Sequence, residues 1–273
     1  MRANPSAAPV WKVRLRYAKR GKLRFTSHRD VARAFERALR RADLPTAYSQ
    51  GFNPHPKISW VGAAPTGVAS EAEYAEIQFV EHVDPGVVCS ELDAALPDGL
   101  VVLEGVLAGP GGLAERIEVS SWRIEVRGVS DEQLRQAVRA LLAAPELMVE
   151  RVTKDGRRMV DVRAAIVTLE VEDCPMVPPV PNQFSRCGIL MAVVRQVSPA
   201  VRPDDVLSAL GAVAGLPSSV LVKAIRMAQG RLDDDGGLVD PLAPERASPV
   251  MGRVSTMSRD TPVDRSGPRS CRW

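Results

Sequence analysis

The chain has 273 residues, 45% of them hydrophobic. This is enough apolar material for the core of one large domain or two small ones, which should fold without disulfide bonds. It has no run of roughly 20 apolar residues that would span a bilayer and no apolar secretory signal, which excludes a membrane protein and favours a cytoplasmic one. The net charge of +3 hides an asymmetry: residues 1–60 carry 14 Lys/Arg and 3 Asp/Glu, whereas residues 61–128 carry 3 and 12.

The first half of the chain alternates strand and helix patterns. Residues 11–17 alternate between apolar and basic side chains, which indicates a strand with one core face and one basic face. Ser27 precedes Asp30 as in a capping box, and apolar residues then recur at helical spacing over 28–43, before Pro45. The other predicted elements are strands at 57–61 and 73–80, a helix from Asp84-Pro85 to Ala95 and a strand at 100–107.

This order of elements is the ferredoxin-like order, in which two helices cover one face of a sheet. The opposite face would remain available for a ligand or a second domain. The order recurs after the glycine-rich residues 109–112. The predicted elements are a strand at 122–127, a helix capped by Ser130, a hairpin turning at 154–156, strands near 165–171 and 189–197, a helix from 203 to about 214 and a strand at 220–228.

The sequence therefore predicts an α+β fold of two tandem ferredoxin-like (βαββαβ) units, with an added hairpin in the second. A proline-rich insertion occupies residues 175–181, and residues after 233 have little apolar periodicity. The predicted divisions are a first unit at 11–108, a linker at 109–119, a second unit at 120–232 and a disordered C-terminal tail at 233–273.

The basic face of the first helix has two interpretations. It carries Arg29, Arg33, Arg37, Arg40 and Arg41. These side chains could bind the phosphates of a polyanion, or they could be merely solvated. The basic segment as a whole could also pair with the acidic segment that follows it in the same chain.

Neither a metal nor a cofactor is expected. The four cysteines, at positions 89, 174, 187 and 271, form no CxxC pair, so reduced thiols are expected, although Cys174 and Cys187 could approach each other. The chain also lacks a Ser-His-Asp elbow, a phosphate-binding P-loop, a Rossmann fingerprint and an HExxH motif.

The start of the first helix is one part of the candidate site. Ser27, His28 and Arg29 could bind a phosphate there, because a helix N-terminus presents unpaired amides and the positive end of the dipole. A structural role, in which Ser27 only caps the helix and His28 packs or faces solvent, is favoured over phosphate binding because no partner for His28 is evident.

The loop at 48–57 is the other part. Tyr48 and Phe52 could stack on a base while Lys57 and the arginines bind phosphates, although Gly51-Phe52-Asn53-Pro54 is also good turn chemistry. The candidate binding residues are Arg24, Ser27, His28, Arg29, Arg33, Arg37, Tyr48, Gln50, Gly51, Phe52, Asn53, His55 and Lys57.

Catalysis would require the two histidines in these segments. His28 and His55 are the candidate catalytic residues, as a general acid and base acting on RNA or a phosphorylated substrate. Asp30 or Glu76 could orient one of them if the fold brings it near.

Two motifs carry a family resemblance, KLRFTSHRD at 22–30 and YSQGFNPHPKIS at 48–59. With residues 67–74 and VRPDDVL at 201–207, they make the chain resemble the radical-SAM-linked bacterial protein family over roughly residues 11–230. The resemblance implies an accessory role around RNA or ribosome metabolism, beside a separate radical SAM enzyme. The chain has no CxxxCxxC triad for the iron-sulfur cluster of such an enzyme.

The resulting hypothesis is a noncatalytic RNA-binding or substrate-presenting module, with RNA or a ribonucleoprotein and a separate radical SAM enzyme as partners. Two alternatives stay open: a histidine-dependent enzyme, and a structural partner that docks on the radical SAM enzyme through an exposed apolar patch.

Overall fold

Eleven strands and six α-helices form in the part of the chain that the computed structural model describes, residues 11–153, 156–172, 187–216 and 222–247. The strands are β1 Trp11–Lys19, β2 Ile58–Val61, β3 Ala69–Phe79, β4 Leu100–Leu107, β5 Val119–Arg127, β6 Met148–Thr153, β7 Gly156–Asp161, β8 Ile166–Glu172, β9 Cys187–Arg195, β10 Val222–Leu232 and β11 Leu238–Val239. The helices are α1 His28–Arg41, α2 Pro85–Ala95, α3 Asp131–Ala143, α4 Val162–Ala165, α5 Pro203–Ala214 and α6 Ala243–Ala247.

A large mixed sheet connects the two halves of the chain, of which the first runs from β1 to β4 and the second from β5 to β10. Its strand order is β4-β1-β3-β10-β5-β9-β8, with β2 also paired to β3 and β11 also paired to β10. The pairing of β3 with β10 is parallel and the other pairings in this sheet are antiparallel. β6 and β7 form a separate antiparallel hairpin.

Each half buries its helices against one face of its strands. In the first half, Leu15 of β1 and Ile77 of β3 share a buried core with Phe35 of α1. In the second half, Ile124 of β5 belongs to a separate core together with Leu134 of α3. Apolar residues alternate along β1 and β5 because one face of each strand is covered by helices, as the sequence indicates.

The predicted elements are confirmed, with differences at their ends. α2 begins after Asp84, whose side chain accepts the amides of Gly86 and Val87, and α5 spans Pro203–Ala214 as predicted. β3 begins at Ala69, four residues before the predicted start, because its first residues pair with β10. The hairpin-turn residues 154–155, the proline-rich residues 175–181 and residues 220–221 lie outside the described ranges.

The opposite face of the first half is covered by other parts of the same chain. Leu113 and Ile117, from the predicted linker, and Leu242 pack with Ala72 and Tyr74 of β3. The stretch between the halves is therefore packed into the fold, and it covers the part of this face around Ala72 and Tyr74.

The prediction of disorder from residue 233 is wrong for residues 233–247. Glu245 of α6 has a side chain that is 5% exposed and lies 2.5 Å from Arg14 Nη1 of β1 and 2.7 Å from Arg116 Nη1. It also accepts the backbone amide of Gly109 at 3.1 Å. Apolar periodicity could not reveal this packing, because an ion cluster with residues more than a hundred positions away anchors the segment. Residues 248–273 lie outside the described ranges.

The expected basic face of β1 is neutralised. Arg14 is buried against Glu76, which also accepts from Lys12, and Arg16 lies 3.7 Å from Glu104. The hypothesis that the basic segment pairs with the acidic segment is thus confirmed for these side chains. The cations that remain on the surface of the first half lie mainly on and around α1.

Candidate functional site

The start of α1 uses its serine for capping. Ser27 accepts the backbone amide of Asp30 at 3.2 Å, and its hydroxyl donates to the Asp30 carboxylate at 2.7 Å. The hydrogen bond from Ser27 holds the pKa of Asp30 below its usual value, with further help from the charges of Arg33 and Arg29. The predicted cap is confirmed, and the Ser27 hydroxyl makes both of these hydrogen bonds with Asp30.

Replacing Ser27 by alanine is expected to lower the free energy of unfolding by about 1 kcal/mol, because an amide in the first turn of α1 loses its acceptor. Urea unfolding of the full chain measures the effect. Ser90→Ala is the matched control, since the Ser90 hydroxyl donates to the Val87 carbonyl inside α2 and caps nothing. Equal stability of the two variants would contradict the capping role.

His28 is exposed at the first position of α1, with its ring edge-on to Trp60 at a centroid distance of 5.4 Å. Trp60 in turn packs edge-on against Tyr17 and Phe35. One side of the His28 ring therefore packs against an aromatic cluster that belongs to the core of the first half. His28 also lines a cavity toward the second half, with residues 63–66 and Arg202.

The loop at 48–57 is closed by backbone contacts. A β-bridge joins Tyr48 to Pro56, and the backbone of Ser49 donates to the His55 carbonyl at 2.9 Å. Gly51 has φ +129°, a conformation that side-chain-bearing residues rarely adopt. Phe52 is fully exposed at the tip. The loop is thus a tied turn that projects an aromatic ring into solvent, and Gln50 and Asn53 are exposed beside it.

The loop meets α1 at its middle. His55 Nδ1 lies 3.6 Å from Glu36 Oε1, and Glu36 also pairs with Arg40 at 3.5 Å. Glu36 is eight residues beyond His28, which corresponds to about 12 Å along a helix. The structure therefore gives the two histidines different neighbours, Trp60 for His28 and Glu36 for His55.

Neither carboxylate considered from the sequence is the partner of a histidine. Asp30 is engaged by Ser27, and Glu76 by Lys12 and Arg14. The carboxylate beside His55 is Glu36. The position of Glu36 on the helix gave no indication in the sequence that it would lie beside a histidine. A shared acid-base centre at His28 and His55 stays a prediction.

The exposed face of α1 keeps most of its positive charge accessible. Arg29 and Arg37 are exposed, Arg33 lies 3.9 Å from Asp30 with both side chains more than half exposed, and Arg41 donates to the Ala95 carbonyl at 3.0 Å. Arg24 lies over the ring of Phe25, 4.5 Å from its centroid, and Phe25 is 60% exposed. Arginines and exposed aromatic rings therefore occur together around this helix.

A cleft between the two halves was not foreseen. One part, of about 380 Å³, is lined by His28, residues 63–66, Val68 and residues 202–204. An adjoining part, of about 240 Å³, shares Ala63, Pro65 and Arg202 with it. The second part also includes Trp122, Arg195 and Arg226. The sequence marked two of the lining residues, His28 in the motif at 22–30 and Arg202 in the stretch at 201–207 that resembles the family, but it did not indicate that they line one cleft.

A buried polar network forms the floor of the cleft. Arg226 of β10 donates to the Glu73 carboxylate of β3 and, at 3.1 Å, to Gln229 Oε1. The other oxygen of Glu73 accepts the amide of Ala64 at 3.0 Å, and Lys19 Nζ lies 3.4 Å from the Ala64 carbonyl. Burial lowers the pKa of Lys19, against the charge of Glu73, which raises it. The network thus fixes the loop that lines the cleft.

Other chemistry is limited within the described residues. They contain no group of three His, Cys, Asp or Glu side chains that could hold a metal ion. Burial raises the pKa of the Cys89 thiol to about 12, so this cysteine is unsuited to nucleophilic chemistry at neutral pH. Among the same residues, no helix is both long and apolar enough to cross a membrane.

Comparison with known proteins places these features in a family. Residues 12–203 match the family model described as an uncharacterized protein conserved in bacteria, DUF2344. The match includes the start of α1, the loop at 48–57 and Arg202. No curated protein matches the chain.

Proposed function

From the premise that the chain belongs to this bacterial family of uncharacterized proteins, we propose that it is a noncatalytic RNA-binding module. The exposed face of α1 with the loop at 48–57 forms the RNA surface. The observation that carries the proposal is this row of exposed arginines beside the fully exposed ring of Phe52. RNA is the chosen ligand because single-stranded nucleic acid combines a line of phosphates with bases that stack on aromatic rings.

The distribution of charge supports this surface over β1. Lys12, Arg14 and Arg16 of β1 are paired with Glu76, Glu104 or Glu245, and the fourth cation, Lys19, is buried. α1 carries five arginines and only two carboxylates, Asp30 and Glu36. A polyanion would therefore meet the strongest unbalanced charge of the first half at α1, where phosphate contacts release counterions.

The conformation of the loop supports a binding role for Phe52. The loop is closed at its base by Tyr48, Ser49 and His55, so little conformational freedom is lost when the tip contacts a base. Lys57 follows at the end of the loop, with its backbone hydrogen-bonded to Ala47 and Gln78. A preordered ring and a nearby ammonium group are suited to stacking and phosphate contact.

The proposal includes a separate radical SAM enzyme in the cytoplasm, to which this module presents the RNA. The family resemblance of the 22–30 and 48–59 motifs supports this partner. The proposed organisation is two ferredoxin-like units. The neighbours β4-β1-β3-β2 in the first half and β10-β5-β9-β8 in the second support it, because both are the order expected of that fold.

Alanine at Arg33, Arg37 and Lys57 together is expected to weaken binding of a single-stranded RNA by about tenfold or more at low salt. The plot of log affinity against log salt should become less steep by about two, because three phosphate contacts are lost. Fluorescence anisotropy with a labelled 20-nucleotide RNA, over a salt series, measures both quantities.

The matched control removes the same charge from the second half, at Arg139, Arg158 and Lys223, all of them exposed. This control should leave the affinity within about twofold. Affinity that does not depend on salt, or equal losses in the two triple variants, would refute α1 as the RNA surface.

A further inference from the structure

We propose that the cleft between the two halves binds a small anionic metabolite, one that carries a phosphate or carboxylate group. This site is distinct from the RNA surface on α1 and does not depend on it. One of its two adjoining parts, of about 380 Å³, has the size of a small-ligand site, and the other, of about 240 Å³, adds to this space.

Two arginines supply the charge for the anion. Arg195, at the end of β9, and Arg202, immediately before α5, are exposed side chains that line the cleft. Among the described residues, neither guanidinium group has a carboxylate partner. Each presents a planar fork of donors that fits a carboxylate or a phosphate group.

The third arginine of the cleft acts differently. Arg226 is 3% exposed and its charge is balanced by Glu73, so it contributes no net attraction for a ligand. Its guanidinium lies 5.4 Å from the ring centroid of Trp122, which lines the same part of the cleft. Arg226 is a positioning residue that holds Trp122 and β3 in place.

The walls of the cleft strengthen the attraction. Val194, Val201 and Pro65 line the part that contains the arginines, so an anion there would be partly removed from water. Charge-assisted hydrogen bonds are stronger in such surroundings than on an open surface. The loop at 63–66, on the other side, is held by Glu73 and Lys19.

The other part of the cleft sets a second requirement on the ligand. Asp204 and His28 line it, and the exposed carboxylate of Asp204 repels an anion. The nearby Asp205 is already paired with Arg151. The anionic group therefore belongs at Arg195 and Arg202, and a hydroxyl or amino group of the ligand belongs at Asp204.

Isothermal titration calorimetry of the full chain at low salt tests the site, with inorganic pyrophosphate and citrate as separate probes. Binding of one probe but not the other assigns the group as phosphate or carboxylate. Arg195→Ala and Arg202→Ala should each weaken the binding by about tenfold, because one charge-assisted fork is lost. Arg202→Lys should weaken it less than Arg202→Ala. Arg158→Ala, an exposed arginine of β7, should have no effect.

Two results would overturn the proposal. One is the absence of heat with both probes up to about 10 mM, a limit at which even weak specific sites are occupied. The other is binding that Arg202→Ala and Arg158→Ala change equally. Thermal unfolding of each variant, with an unchanged melting temperature, shows that the fold is intact.

The test separates this site from the RNA surface. The variant with alanine at Arg33, Arg37 and Lys57 should keep the calorimetric signal, and Arg202→Ala should keep the RNA affinity. Loss of pyrophosphate or citrate binding in the α1 variant alone would place the anion on α1 and reject the cleft.

Discussion

Replacing Arg226 by alanine is expected to lower the free energy of unfolding by about 3–5 kcal/mol, because it leaves the carboxylate of Glu73 buried without its cation. The two side chains are 4% and 3% exposed. Gln229 would also lose a donor, which the Arg226 guanidinium supplies at 3.1 Å. The residues lie where β10 joins β3, so the loss weakens the connection between the two halves.

A double-mutant cycle measures the interaction energy between Arg226 and Glu73 apart from their contacts with other residues. Urea unfolding at pH 7 is measured for Arg226→Met, Glu73→Gln and the double variant. The double variant should lose less stability than the sum of the two single losses, because neither member of the pair is left charged without the other. Arg139→Ala serves as the control, since Arg139 and its partner Glu132 are 64% and 75% exposed. A cost below about 1 kcal/mol for Arg226→Ala would show that the pair is not important for stability.

Replacing Glu245 by alanine is expected to lower the free energy of unfolding by about 2–4 kcal/mol, because Arg14 and Arg116 lose a common buried acceptor. Both arginines keep other partners, Glu76 for Arg14 and backbone carbonyls for Arg116, so the loss is smaller than for an isolated pair. The segment at 240–247 should also become accessible to proteolysis, because Glu245 ties it to β1.

The effect of Glu245 should depend on pH. Burial opposes ionisation, but hydrogen bonds from Arg116 and the Gly109 amide and the charge of Arg14 together lower the pKa of Glu245 below 4.5. The carboxylate therefore stabilises the folded state fully above about pH 4.5, and this contribution is lost as the pH falls through the lower folded-state pKa.

Urea unfolding between pH 7 and pH 3 measures this dependence. The difference in stability between the natural chain and Glu245→Gln should be constant near neutrality and shrink toward pH 3. Glu132→Gln, at a side chain that is 75% exposed, provides the matched control. A stability difference that is independent of pH over the whole range would contradict an ionised Glu245 that is paired with Arg14 and Arg116.

The local elements could be predicted because their signals lie within a few residues. Ser27 and Ser130 cap helices, Asp84 with Pro85 begins another, and the alternation at Trp11–Tyr17 is a strand. In each case the interaction joins neighbours in the sequence, or the period of the apolar residues directly reflects the face that is buried.

The candidate site was only partly accessible to the same reasoning. The arginines of α1 and the loop at 48–57 are visible as a basic helix and a glycine-containing turn. The pairing of His55 with Glu36, and the contact of His28 with Trp60, depend on how the loop and β2 lie against α1. Neither contact leaves a periodic pattern.

By itself, the sequence determined most of the strands and helices up to residue 232, their caps and the concentration of positive charge in the first sixty residues, because these follow from local periodicity and composition. Only the tertiary structure decided which charges are neutralised and where the cleft lies. Arg14 meets Glu245, and Arg226 meets Glu73, across separations of 231 and 153 residues. The physical reason is that burial and ion pairing depend on proximity in space, and strand pairing brings distant segments together.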